Sequence, residues 1–166
     1  MDTWNTGPGA VLVRRAVARD AKRLTRLVRA SRAYEGPWAP MVEGYRVGPD
    51  YIETHRVFVA VDGDGGPVLG FYSLVLGPGH AGAPGATGEL DLMFVADAAQ
   101  GRGIGRCLIA HLREEAGRAG LDAVRVVSHP PSEGFYRSVG AERTGTAPAT
   151  PPYVMWDRPE LMLPIA

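Results

Sequence analysis

The stretch from Glu89 to Gly117 constrains this chain more than any other. Glu89-Leu90-Asp91-Leu92-Met93-Phe94-Val95 has the texture of a strand, and a short polar connection carries it into Gln100-Gly101-Arg102-Gly103-Ile104-Gly105-Arg106. A helix follows, with an expected buried face of Ile104, Cys107, Leu108 and Leu112, and it stops near Gly120. Glycines at alternate positions 101, 103 and 105 let a backbone approach a ligand without Cβ collisions. They also fall where the first N–H groups of a helix lack partners. Such a turn is an anion cradle, suited to a diphosphate held by backbone donors and the positive end of the helix dipole, with Arg102 or Arg106 at hand. Two nucleotide readings fail on spacing: the dinucleotide fingerprint wants glycine where Arg106 stands, and no Gly-Lys-Ser or Gly-Lys-Thr occurs for a P-loop.

Around this unit the chain alternates strands and helices, which makes it an α/β protein. A strand over 10–13 leads to Asp20, an expected helix cap before Leu24, Leu27 and Val28. Segment 31–50 is broken by glycines and prolines yet holds Tyr34, Trp38, Met41 and Tyr45. Runs 57–61 and 68–76, joined by Asp62-Gly63-Asp64-Gly65-Gly66-Pro67, are expected to pair as a hairpin. Residues 77–88 read as a mobile surface loop. Beyond the long helix come a strand over 124–127, a helix over 133–139 capped by Ser132 and closed by Gly140, and two expected edge strands over 141–145 and 160–164.

At 166 residues, one domain over 1–166 is expected. The 18 basic and 18 acidic side chains cancel, so the net field that nucleic-acid binding draws on is missing, and no nucleic-acid partner is expected. The basic set is one lysine, Lys22, with the rest arginine, a compositional bias. No stretch has the length and apolarity of a membrane span or signal peptide, and the single Cys107 cannot form an internal disulfide, so a cytoplasmic protein without a membrane partner is expected. His55, His80, His111 and His129 lack zinc spacing. Asp62 to Gly65 fails as a calcium loop because its twelfth position is Ser73 rather than Glu, so no metal is expected. Cys107 and His111 read as packing residues of the helix, His111 at the edge of its buried face.

Gln100-Gly101-Arg102-Gly103-Ile104-Gly105 resembles the acetyl-CoA-binding motif of the GNAT N-acetyltransferase family, Gln/Arg-x-x-Gly-x-Gly/Ala. One strand later, His129-Pro130-Pro131-Ser132-Glu133-Gly134-Phe135-Tyr136-Arg137-Ser138-Val139-Gly140-Ala141 resembles its second hallmark, an Asn-x-x-Ala-x-x-Phe-Tyr helix ending in Gly-Phe. The resemblance spans about residues 10–165. It implies a single-domain acyl-CoA N-acyltransferase fold with a mixed central sheet of about seven strands flanked by helices, and transfer of acetyl from acetyl-CoA to a primary amine by direct attack in a ternary complex. Pantetheine would bind the backbone of Met93, Phe94 and Val95. The pyrophosphate would rest on Gln100, Gly101, Arg102, Gly103, Ile104, Gly105 and Arg106. Tyr136 aligns with the tyrosine that protonates the departing thiolate. Glu89 lies where several members place a base acting directly or through water, and Asp91, two residues on, either shares that role or binds a cationic amine. His129 replaces the family's asparagine beside pantetheine, Ser132 its alanine, Asp97 a frequent proline and Ala141 the terminal phenylalanine.

The acceptor walls implied by the resemblance are segments 31–56 and 146–158. Tyr34, Trp38 and Tyr45 either grip substrate or simply pack, and Tyr153 and Trp156 stand on the opposite wall. A small-molecule amine is the leading acceptor, with two rivals: a macromolecular one (a protein N-terminus or charged tRNA), and an acyl-CoA-binding regulatory module without turnover. The resemblance also allows a homodimer through the last strands.

Overall fold

The computed structural model describes residues 2–3, 10–77, 84–152 and 154–165, so His80, Tyr153 and the centre of the expected loop over 77–88 lie outside it. The strands are β1 (Asp2–Thr3), β2 (Val11–Arg15), β3 (Arg56–Asp62), β4 (Val68–Leu76), β5 (Thr87–Val95), β6 (Ala123–Val127), β7 (Glu142–Ala147) and β8 (Arg158–Pro164). The helices are α1 (Ala21–Arg29), α2 (Pro49–Thr54), α3 (Ile104–Arg118) and α4 (Glu133–Ser138). One sheet runs β1-β2-β3-β4-β5-β6-β8-β7, seven full strands plus the two-residue β1, and it is mixed as expected, because β5 and β6 pair parallel while the other neighbours are antiparallel.

Helices cover both faces. On one, Ile104, Leu108 and Leu112 of α3 bury against Tyr72, Leu90 and Leu161. On the other, Leu24 and Val28 of α1 and Ile52 of α2 bury against Val57, Phe71 and Phe94. Covered twice, β3 and β4 read as nearly unbroken apolar runs rather than alternating ones.

Three local expectations need correction. Of the two strands expected at an edge, only β7 ends the sheet. β8 lies between β6 and β7, because Leu161 and Leu163 are buried, whereas β7 is exposed along almost its whole length and suits an edge. His111 is not at the rim of α3: it is fully buried, its Nδ1 bonded to the Tyr72 hydroxyl at 2.8 Å, while Cys107 is half-buried. Asp20 precedes α1 but turns its carboxylate backwards, accepting from both Arg14 Nη atoms at 2.9 and 3.0 Å and from the Val17 N–H at 2.8 Å. The hydrogen bonds from Arg14 hold it below the usual carboxylate range.

Two irregularities open the sheet where the glycine loop meets it. The β4–β5 register steps from Ser73↔Leu92 to Leu74↔Leu90, leaving Asp91 as the extra residue of a β-bulge. The parallel β5–β6 pairing ends at Leu90↔Val126, although β5 continues to Val95 and β6 goes on against β8. A gap therefore widens between the strands beyond Leu90.

Candidate active site

Gly101 and Gly103 take φ of +82° and +78°, a left-handed conformation that other residues adopt only under strain, and their missing side chains face open space. Gly103 caps α3, so the unpaired N–H groups of the first helical turn point out beside the gap. Gly105 serves another purpose. A Cβ there would come within 3.0 Å of the Phe135 ring, so glycine lets α4 dock closely on the first turn of α3.

A cavity of about 420 Å³ occupies this corner. Ten of the eleven expected cofactor residues line it: 93–95, 100, 101, 103–106 and His129. Arg102 does not. Its Nη1 turns to Asp62 at the end of β3, 3.4 Å away, leaving Arg106 as the arginine at the cradle. Gln100 folds back, its Nε2 donating to the Val95 carbonyl at 3.1 Å.

A second cavity, about 270 Å³, opens on the other side of the gap, between α1, the 40–45 turn, the bulge and the start of β8. Asp91 lies in it. The Tyr51 hydroxyl donates to Asp91 Oδ2 at 2.5 Å, Ser73 Oγ lies 2.7 Å from the same hydroxyl, and the Leu92 N–H, released from the ladder at the bulge, donates to Ser73 Oγ at 3.0 Å. These bonds fit one direction of donation, from Leu92 through Ser73 and Tyr51 to Asp91, and they leave Asp91 Oδ1 free for a ligand. Burial together with the Asp91 carboxylate pushes the Tyr51 phenol far above its usual range, so it remains a donor. Glu89, the expected base, lines neither cavity among the described residues. Its Oε1 accepts from Arg125 at 3.1 Å, and Arg125 in turn reaches Glu160 at 3.0 Å.

Four residues line both cavities: Tyr34, Met93, Phe94 and Tyr136. Tyr136 is half-buried on α4, and desolvation raises its phenol above the ordinary value of about 10 that its residue type alone suggests. Tyr34 is pushed up to about 12 by burial, with Arg158 pulling the other way.

Three of the departures from the family pattern prove to be one device. His129 is buried, its ring stacked on Tyr34 with centroids 4.1 Å apart. Its Nε2 bonds the Ala33 carbonyl at 3.0 Å and its Nδ1 bonds Ser132 Oγ at 2.9 Å, so the ring is the Nε2–H tautomer and both nitrogens are occupied by the chain itself. Asp97 accepts the Arg32 N–H at 3.1 Å. Together His129, Ser132 and Asp97 clamp the 3-10 turn Arg32–Tyr34 and set Tyr34 between the cavities. His129 is thus a wall and a clamp rather than a free donor for pantetheine.

Of the aromatics with two readings, Tyr34 and Tyr45 line the second cavity, while Trp38 packs edge-on against Trp156 at 4.9 Å and joins the two acceptor walls. Arg29 holds the Tyr45 turn by its carbonyls, donating to Tyr45 at 2.8 Å and Gly44 at 3.3 Å. Sequence reasoning missed Tyr51 and Arg158. Tyr51 follows an unremarked Gly48-Pro49 helix start, and Arg158 opens a strand whose place in the sheet only the fold reveals.

The sequence pattern of the acetyltransferase (GNAT) domain matches residues 53–140, more than half of the chain. No curated protein matches it by sequence. Among solved structures, a protein from Desulfovibrio desulfuricans assigned to the GNAT acetyltransferases superposes with TM-score 0.72 at 20% identity, covering 95% of this chain and 100% of that one. A phosphinothricin acetyltransferase from Sinorhizobium meliloti in complex with acetyl-CoA gives TM-score 0.69 at 24% identity, covering 94% and 89%. A ribosomal-protein alanine N-acetyltransferase from Escherichia coli gives 0.67 at 16%, covering 94% of each. At such identities the likeness is one of fold.

Proposed function

This chain belongs to the GNAT acetyltransferase family, and on that premise we propose that it transfers acetyl from acetyl-CoA to a primary amine of a small molecule, by direct attack across the gap between β5 and β6. The observation that carries the reading is the pair of cavities that share Tyr136: one bordered by the glycine cradle, the other by a carboxylate. A solved neighbour binds acetyl-CoA, which supports the cosubstrate.

In this reading the N–H groups at the start of α3 and Arg106 hold the pyrophosphate. Met93, Phe94 and Val95 present backbone groups to pantetheine, because β5 has no β6 partner beyond Leu90. Asp91 receives the acceptor ammonium and passes its proton to water. The freed amine forms the new C–N bond at the thioester carbon, the C–S bond breaks, and the nitrogen gives up its second proton to solvent as the amide forms. The Tyr136 hydroxyl donates to the departing sulfur, which leaves as the thiol, and solvent restores the phenol proton. A raised phenol resists full transfer, so its first contribution is a hydrogen bond that stabilises the thiolate as it forms. Glu89 becomes a positioning residue that keeps Arg125 and Glu160 in register.

The test follows CoA thiol release with a panel of amines. Tyr136→Phe is expected to lower kcat by about 10²-fold, within the usual general-acid range, with little change in acetyl-CoA affinity. Unchanged turnover would remove Tyr136 from the chemistry. Acetyl-CoA binding without thiol release for any amine or peptide would turn the reading toward a regulatory module.

A further inference from the structure

Arg158, the first residue of β8, faces the same 270 Å³ cavity as Asp91. Most arginines near it are spoken for: Arg125 pairs with Glu89 and Glu160, and Arg137 and Arg143 pair with Glu133. Arg158 has no such carboxylate among the described residues, and its Nε is buried without a hydrogen-bond partner. The neighbouring acids are committed elsewhere: Asp157 accepts the Ala149 N–H at 2.8 Å, and Glu160 holds Arg125. A buried Nε–H without a partner is costly unless an acceptor completes it, and the planar fork of the half-buried Arg158 suits a carboxylate.

Resting on the acetyltransferase reading above, we propose that the acceptor is a small amino acid whose carboxylate is bound by Arg158 while its ammonium is bound by Asp91. The two charges line one cavity together with Tyr34, Tyr45 and Tyr136, an arrangement of opposite charges matched to a zwitterion. Its volume suits a molecule of amino-acid size and falls below the range of about 300–1,000 Å³ common for larger ligands. The same cation counts against two other acceptor classes. A polyamine brings only positive charge to Arg158, and a protein N-terminus brings an ammonium with no carboxylate beside it.

The experiment measures CoA thiol release from the whole chain with free L-amino acids, the corresponding amides and the corresponding decarboxylated amines. The wild type is expected to prefer the best free acid over its amide by about 10- to 100-fold in kcat/KM, the scale of one charge-assisted interaction. In Arg158→Met that preference should fall towards one because the acid loses more than the amide, with KM for acetyl-CoA nearly unchanged, and Arg158→Lys should restore part of it. Equal use of acids and amides by the wild type overturns the proposal without needing any variant. So does a loss in Arg158→Met that is equal for every acceptor, which would mark a structural role. If no acceptor releases thiol, the acetyltransferase reading fails by itself. Calorimetry of the same acids and amides with the wild type and CoA then decides the Arg158 question: tighter binding of the acids supports it, and equal or no binding overturns it.

Discussion

The two sides of the gap are built on different principles. The side proposed for the cofactor is local: the strand, the glycine turn and the first turn of α3 are continuous in the chain, and in the proposal backbone groups do most of the holding. The side proposed for the acceptor is lined by Tyr34, Asp91 and Arg158, residues far apart in sequence that a clamped turn, a bulge and a strand end bring to one cavity. A binding surface made of backbone tolerates change in most of its side chains and fixes one ligand. A surface made of scattered side chains can change its ligand one residue at a time.

The contrast can be broken or sharpened by substitution. The largest effect is expected for Asp91→Asn, which should lower kcat/KM for the acceptor by about 10²-fold while KM for acetyl-CoA stays put, the loss of a proton acceptor and of an ion pair together. Initial-rate kinetics varying each substrate in turn would show it, and a rise in acetyl-CoA KM would show that the two sides are not separable. The mirror case is Gly103→Val. Its left-handed backbone disfavours any β-branched residue by about 1–3 kcal/mol, and the loop must move, so acetyl-CoA KM is expected to rise about tenfold with acceptor KM preserved.

Smaller effects follow. Glu89→Gln should change turnover by no more than about fivefold, because it removes only a partly exposed pair with Arg125; a 10²-fold loss would return the base role to Glu89. The His129 clamp should show in pH. Burial lowers its pKa, so the folded chain holds it neutral while the unfolded chain protonates it near 6.5, and the stability this neutral ring contributes is lost as pH falls below that value. Urea unfolding curves of the wild type and His129→Asn, measured between about pH 7.5 and 5, are expected to converge towards the acid end, and parallel curves would exclude the clamp.

How much of this was legible beforehand follows the same division. The glycine turn, the long helix and the hairpin over β3 and β4 stand out because each is written in a short window, where periodicity and turn chemistry act, whereas Tyr136 stands out only through the motif it sits in. The bulge separates the expected base Glu89 from Asp91: one extra residue in β5 decides which carboxylate lines the cavity, and no local pattern announces it. Arg158 was hidden because β8 becomes an interior strand only when the chain returns between β6 and β7. His129 and Ser132 were visible as departures from a motif, but their purpose lies in a hydrogen bond to Ala33, almost a hundred positions away. The glycines divide too, since Gly105 packs against Phe135 as well as lining the first cavity.

That contact at Gly105 has a consequence for how such a chain can vary. Phe135 immediately precedes Tyr136, so the glycine turn and the helix that carries the phenol touch closely, and a methyl group at 105 would press within 3.0 Å of the Phe135 ring. Enlarging residue 105 would tip α4 and shift the phenol without disturbing the cradle, a lesion in the loop that reads out as slower chemistry rather than weaker binding. A smaller side chain at 135 should repair it. The two motifs, some thirty residues apart in the gene, are thereby bound to drift as a couple, each limiting the substitutions the other can survive.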